Sequence, residues 1–189
     1  GVGTASAAYL HALNYAKDRV QSVRIQDSMN PDAKPAAIIN HPDVRRMLMW
    51  MKSHTEAMRA LVYLCAYCID RKIATEGEES EKWHGIMELL VPITKAYNTD
   101  MSFRVTELAI QCYGGYGFCQ DYPGEQFMRD IKIASLYEGT NGIQSLDLVG
   151  RKMTAKKGAN FINFLGEMNK SLVEYKDTEG LEDIAKAVQ

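Results

Sequence analysis

In the stretch SLYEGTNGIQSL (135–146) a single carboxylate, Glu138, stands between a tyrosine and a Gly-Thr-Asn turn, immediately ahead of a resumed apolar pattern. Two chemistries are open to it. An acid at a helix start complements the positive end of the helix dipole. An acid held against a substrate and shielded from water has its pKa raised and can take up a proton. Position alone favours the first.

The remaining candidate groups point away from metal chemistry. Cys65 and Cys68 form a C-x-x-C inside LVYLCAYCID, but a zinc site needs a second close pair, and Cys112 and Cys119 are set apart around glycines. Buried, reduced thiols are the expectation for all four. Glu81 and His84 make one Glu-x-x-His pair, whereas a di-iron bundle needs two such pairs. His11, His41 and His54 have no glutamate three residues upstream. Glu81 and His84 therefore read as surface residues of a first helical turn beside Trp83, and no metal is expected.

Four long helical patterns must position these groups. The first repeats Tyr9, Leu13, Ala16, Val20 and Val23. After the proline-broken segment DSMNPDAKPAAIIN, a second opens at NHPD, where Pro42 suits the first helical position and Asp43 the positive dipole end. Its stripe is Val44, Met47, Met51, Thr55, Met58, Val62, Cys65 and Ile69. A charged loop, TEGEESEK, precedes a third stripe of Trp83, Met87, Leu90, Thr94, Tyr97, Met101, Val105, Leu108 and Cys112, with a kink expected at Pro92. Gly114 and Gly115 end it. PGEQFMRDIKIASL predicts a short helix, and a fourth pattern runs from Ile143 to Tyr175 with a weak point at Gly158. No segment alternates as a strand does. These patterns predict an all-α fold, an up-and-down four-helix bundle over residues 1–176, with 177–189 the start of a further helical segment. A chain that opens inside a helical pattern without methionine reads as a piece of a longer one.

The composition narrows the partners. The 189 residues carry 22 basic and 24 acidic side chains, net charge -2, well interspersed, which gives no electrostatic footing for nucleic acid or an anionic membrane. No apolar run is long enough to span a bilayer and no signal peptide opens the chain, so a cytoplasmic location is expected.

Three blocks carry a resemblance. QCYGGYGF (111–118), MRDIKI (128–133) and YEGTNGIQ (137–144) resemble, in order and spacing, the C-terminal signature of the acyl-CoA dehydrogenases, flavoenzymes of fatty acid β-oxidation. ALNYAKDRVQ (12–21) is similar to the helix that leads to a flavin-contacting arginine, so the likeness covers roughly residues 1–155. HPDVRRML and GIQSLDLVGRKM look most like the branch containing methylmercaptopropionyl-CoA dehydrogenase. The resemblance implies FAD as cofactor and an acyl-CoA thioester as substrate, desaturated between its α and β carbons with Glu138 as base. It implies that the base's backbone N–H binds the thioester carbonyl, with Gly139 close to substrate. Arg19, His41, Gln111, Gly115, Thr140 and Gly142 match flavin contacts, Gln111 and Gly115 reaching the flavin of a neighbouring subunit. A homodimer or homotetramer and an electron-transferring flavoprotein as acceptor are implied too. Three departures stand out: Ser22 and Val23 replace the usual Phe and Gly after the arginine, Pro42 replaces a glutamine after His41, and Gly142 replaces a commonly larger Glu or Gln, which leaves its contact to the backbone. Arg129 and Asp130 read as structural, through an ion pair or a helix contact. Two alternatives stay open: an acyl-CoA oxidase with the same base, and a non-catalytic helical bundle kept for protein or nucleic-acid interaction.

Overall fold

The computed structural model describes residues 1–188; Gln189, which closes the expected segment 177–189, lies outside the described residues. Among the described residues there are seven α-helices and no strand: α1 (Val2–Asp18), α2 (Pro42–Ala74), α3 (Gly77–Tyr113), α4 (Gly124–Lys132), α5 (Asn141–Asp147), α6 (Ala159–Tyr175) and α7 (Glu182–Val188). None of these helices is long and apolar enough to cross a membrane. The chain divides into two compact units, one made of Gly1–Tyr63 with Thr94–Gly142, the other of Leu64–Ile93 with the residues from Ile143 onward.

In the first unit α1 is buried along Ala5, Ala8, Ala12 and Ala16. They share one core with Met47, Leu48, Met51 and Met58 of α2 and Val105, Ala109 and Cys112 of α3. Met51 and Met58 are fully buried, and burial of such a side chain contributes about 1.5–3 kcal/mol. Of the expected stripe Tyr9, Leu13, Ala16, Val20 and Val23, only Ala16 lies on this buried alanine face. Tyr9 and Leu13 only flank the core, α1 ends at Asp18, and Val20 is 56 % exposed. Small side chains misdirect a periodicity reading where, as on α1, the buried face is made of alanines.

α2 begins at Pro42 as expected, and its stripe holds from Met47 to Met58. Beyond that Val62 and Ile69 are exposed and Cys68 is buried. A seven-residue repeat drifts by about 20° per heptad on a straight helix, which moves the buried line off the expected one. α3 starts at Gly77, so most of the charged stretch TEGEESEK is helical, with Glu78 and Glu79 in the first turn where the dipole favours them. α3 runs through Pro92 and is buried well beyond its expected stripe, at Asn98, Thr99, Ser102 and Thr106 among others. It ends at Tyr113, followed by Gly114 at φ +62°.

In the second unit Trp83, Ile86, Leu89, Leu90, Cys68 and Ala185 are buried. Asn160 at the start of α6 packs against Gly85, where a Cβ would stand 2.2 Å from the Asn160 amide oxygen. Ion pairs Lys82–Glu167 and Lys152–Glu88 join α3 to the later segments, and Lys156 reaches Glu81 at 2.7 Å. Glu81 is thus an exposed residue of the second turn, with an ion partner of its own. The fourth pattern breaks earlier than Gly158: Lys156 and Lys157 are left-handed as well, at φ +51° and +58°.

Candidate functional site

The chain reaches Glu138 from α4 through the tight turn Ile133–Ser135, whose Ile133 carbonyl accepts from the Leu136 and Tyr137 amides at 2.9 and 3.1 Å. Glu138 then takes φ +53° and Gly139 φ +83°. Left-handed backbone is free for glycine and unfavourable for a side-chain-bearing residue, so Glu138 keeps it only where its surroundings impose it. Those surroundings come from α3. The Lys95 ammonium donates to the Gly139 carbonyl at 2.7 Å and to Asn141 Oδ1 at 2.8 Å. Asn141 Nδ2 donates to Asp100 Oδ1 at 2.7 Å and to Thr99 Oγ1 at 3.0 Å. Thr140 and Gly142 sit on either side of Asn141, both exposed, as is Glu138, while Gly139 is half-buried.

A second feature of the same unit is a cavity of about 660 Å³ whose lining includes Tyr15, Arg19, His41, Gln111, Tyr113 and Gly114. A short ribbon holds its rim: the Gln21 amide donates to Ala36 O at 3.0 Å, Ala36 to Ser22 O at 2.8 Å and Ile38 to Arg19 O at 2.8 Å. His41 Nε2 lies 2.7 Å from the Gln21 carbonyl, which can only accept, so this nitrogen carries the proton. Arg19 is exposed, pairs with no carboxylate among the described residues, and lies 5.5 Å over the Tyr116 ring. Tyr15 and Tyr113 stack at 4.1 Å, and the Tyr113 hydroxyl donates to the His11 carbonyl at 3.2 Å. Burial pushes the pKa of both phenols up, partly offset at Tyr15 by the Arg19 charge. Burial also pushes the Cys112 thiol up to about 11, which keeps it protonated and inert near neutral pH. An unpaired guanidinium, hydrogen-bonding His and Gln side chains and an aromatic wall suit a ligand that joins anionic and planar parts, as FAD does.

The structure brings Arg19, His41 and Gln111 to the cavity and Glu138, Gly139, Thr140 and Gly142 to the turn; the cavity's lining includes none of the turn residues. Gly115 follows Gly114 in the turn Gly114–Phe118, and Pro42 lines the cavity where a glutamine is usual. Lys95, Tyr15 and Tyr113 are absent from the sequence expectations. Tyr113 lies within QCYGGYGF and could have been flagged there, whereas the contact of Lys95 with Gly139 spans 44 residues and leaves no local signal. One expectation needs correction. Of the four thiols expected to be buried, Cys119 is exposed and Cys65 half-buried. Asp130 accepts from Gln126 at 2.6 Å, one turn away on α4, which is the helix contact of the two structural roles expected of it.

The profile of the family described as "Acyl-CoA dehydrogenase, C-terminal domain" matches residues 1–154. A butyryl-CoA dehydrogenase of Syntrophomonas wolfei is 44 % identical over 94 % of this chain and 29 % of its own length. A 3-methylmercaptopropionyl-CoA dehydrogenase of Ruegeria pomeroyi is 42 % identical over 90 % of this chain and 30 % of its own. The solved structure of Caenorhabditis elegans ACDH-11 in complex with C11-CoA shares the fold, with a TM-score of 0.82 at 22 % identity, covering 99 % of this chain and 29 % of that one. The chain thus spans about three tenths of the length of the curated relatives it matches.

Proposed function

The chain belongs to the acyl-CoA dehydrogenase family, and on that premise we propose that the complete protein is an FAD-dependent enzyme that desaturates an acyl-CoA thioester between its α and β carbons. Glu138 is the base. Its carboxylate takes the α-proton, and the freed electron pair becomes the α–β double bond as hydride departs from the β carbon. Bound FAD supplies the acceptor for that hydride. The Glu138 N–H binds the thioester carbonyl and stabilises the negative charge that builds there, while Gly139 leaves room for the substrate. The observation that carries this reading is the left-handed backbone of Glu138, fastened from α3 on the side of Gly139 and Asn141. A carboxylate that only complements a helix dipole needs no such geometry. Because Glu138 is exposed, the shielding that a base requires has to come from bound substrate and from the remainder of the protein.

Arg19, His41 and Gln111 hold one flavin, with Arg19 toward its pyrophosphate; Thr140 and Gly142 lie against another. Two flavins served by one chain imply a homodimer or homotetramer. Gly115 supports this: its φ is not positive and a Cβ there would meet nothing within 4 Å, so nothing among the described residues requires a glycine. An electron-transferring flavoprotein takes the electrons onward, in the cytoplasm. Residues 1–176 form the C-terminal helical domain, and 177–189 open a further helical segment.

The test is Glu138→Gln in the complete enzyme. FAD content and acyl-CoA binding are expected to survive, while anaerobic reduction of the flavin by substrate slows by roughly two to four orders of magnitude. A merely dipolar carboxylate predicts a stability loss of about 0.3–1 kcal/mol and unchanged reduction.

A further inference from the structure

We propose that Lys95 is a positioning residue for the reaction, locking the glycine hinge that directly follows the base; this rests on the reading of Glu138 as that base. Lys82, Lys152, Lys156 and Lys170 each pair with a glutamate. Lys95 pairs with no carboxylate among the described residues, and its hydrogen bonds both go to the turn, at 2.7 Å to the Gly139 carbonyl and 2.8 Å to Asn141 Oδ1. Ammonium bonds of this length are charge-assisted and hold their acceptors more firmly than neutral ones. The two acceptors lie on either side of Thr140, so one cation fixes the backbone that leaves Gly139 and the side chain that opens α5.

The consequence follows from glycine chemistry. Gly139 at φ +83° can exchange between positive and negative φ at little cost. Glu138, left-handed at φ +53°, relaxes toward right-handed or extended backbone once its neighbour is released. The Lys95 bond fixes the direction of the Gly139 carbonyl and so the plane of the peptide that follows. That restraint keeps both the carboxylate and the backbone of the turn in one orientation. Lys95 itself stands on α3, a continuous helix of 37 residues, and is half-buried. Asn141 is tied to that helix a second time through Asp100 and Thr99. The base is thus registered against a rigid element by a cation that touches neither reacting atom.

The experiment compares Lys95→Met and Lys95→Arg with wild type in the complete, FAD-loaded protein. Butyryl-CoA and longer straight-chain acyl-CoAs are screened first, and the fastest reductant of the wild-type flavin is used throughout. Displacement of a positioned group by an ångström costs on the order of 10²-fold in rate. Lys95→Met is expected to lower the limiting rate of anaerobic flavin reduction by about 10- to 100-fold, with FAD content and the acyl-CoA dissociation constant held within about threefold. Lys95→Arg, which keeps a cationic donor, is expected to recover most of that rate. Wild-type reduction in Lys95→Met overturns the proposal, and so does a loss of FAD and acyl-CoA binding that parallels the rate and that arginine does not repair. If Lys95→Met fails to fold, Asn141→Ser removes the second arm of the clamp and must show the same split between rate and binding. Glu138→Gln is run beside these. Wild-type reduction in that variant, or a flavin that none of the acyl-CoAs reduces, sinks the reading of the base; a slow Glu138→Gln beside an unimpaired Lys95→Met sinks only the role of Lys95.

Discussion

At the Glu138 turn two consecutive left-handed residues are fastened to α3 through Lys95 and Asn141, whereas the Arg19 cavity is assembled from side chains on α1, the ribbon after it, the start of α2 and the end of α3. The turn is specified by backbone, and its functional side chain is left exposed. The cavity is specified by side chains, with a stacked Tyr15–Tyr113 pair as its wall and Arg19 free at its rim. A backbone-specified site tolerates change in its surroundings only if the fastening survives. A site of gathered side chains should lose its functions one contact at a time. Base chemistry demands the first kind of precision, and holding a large cofactor is compatible with the second.

The sharpest break between the two regions is expected from Arg19→Met. Charge-assisted hydrogen bonds are worth about 1.5–3 kcal/mol, so FAD affinity of the complete protein should fall roughly 10- to 100-fold. The reduction rate of the fraction that stays loaded should remain near wild type, because Arg19 takes no part in the turn. Titration of apoprotein with FAD, followed by single-turnover reduction at saturating FAD, measures both. A reduction rate that falls along with affinity would show that the regions are not separable.

Two glycines sharpen the comparison on the cavity side. At Gly117 a Cβ would stand 2.5 Å from the Ile110 carbonyl, so Gly117→Ala must displace backbone and should destabilise by about 1–3 kcal/mol. At Gly115 the space is open, and Gly115→Ala should leave stability within about 0.5 kcal/mol while weakening FAD binding. Thermal unfolding without FAD separates the pair. Equal stability losses in the two variants would mean that Gly115 serves the fold and not the flavin.

The sequence made the turn legible because its residues are contiguous: Tyr137 to Gln144 lie together, and Gly139 is the glycine among them that takes a left-handed backbone. Gly114 at the end of α3 and Pro42 at the start of α2 were legible for the same reason, since each acts within its own turn. The cavity was only partly legible. Arg19, His41 and Gln111 come from a family likeness, and nothing local links Tyr15 to Tyr113 across the chain. In the core of the first unit the periodicity of α1 points to Ala16 but not to Ala5, Ala8 and Ala12, which bury a face that carries little hydrophobic signal. Lys95 leaves no mark in the sequence, since a lysine within a helix is ordinarily solvated and only the tertiary structure gives it the Gly139 carbonyl.

The smallest expected effect uses the phenols to mark the cavity alone. Burial raises the pKa of Tyr15 and Tyr113 above the ordinary value of 10.0. Above that value the unfolded chain gives up its phenolic protons while the folded chain still holds them, so unfolding releases protons. The stability these neutral phenols confer is complete below pH 10.0 and is lost as pH climbs through their higher folded values. Tyr15→Phe should flatten this alkaline decline and change little at neutral pH. Tyr113→Phe should flatten it too, but at a cost of about 0.5–1.5 kcal/mol at every pH, because its hydroxyl donates to the His11 carbonyl. Arg19→Met removes the nearby positive charge that holds the Tyr15 value down, so it should shift Tyr15 ionisation to still higher pH and steepen the decline. Denaturant unfolding of the complete apoprotein at a series of alkaline pH values, with tyrosinate absorbance recorded on the folded form, measures all three. Superimposable alkaline curves for wild type and Tyr15→Phe would show that the stacked pair is wetter than the structure has it, and would remove the aromatic wall from the account of the cavity.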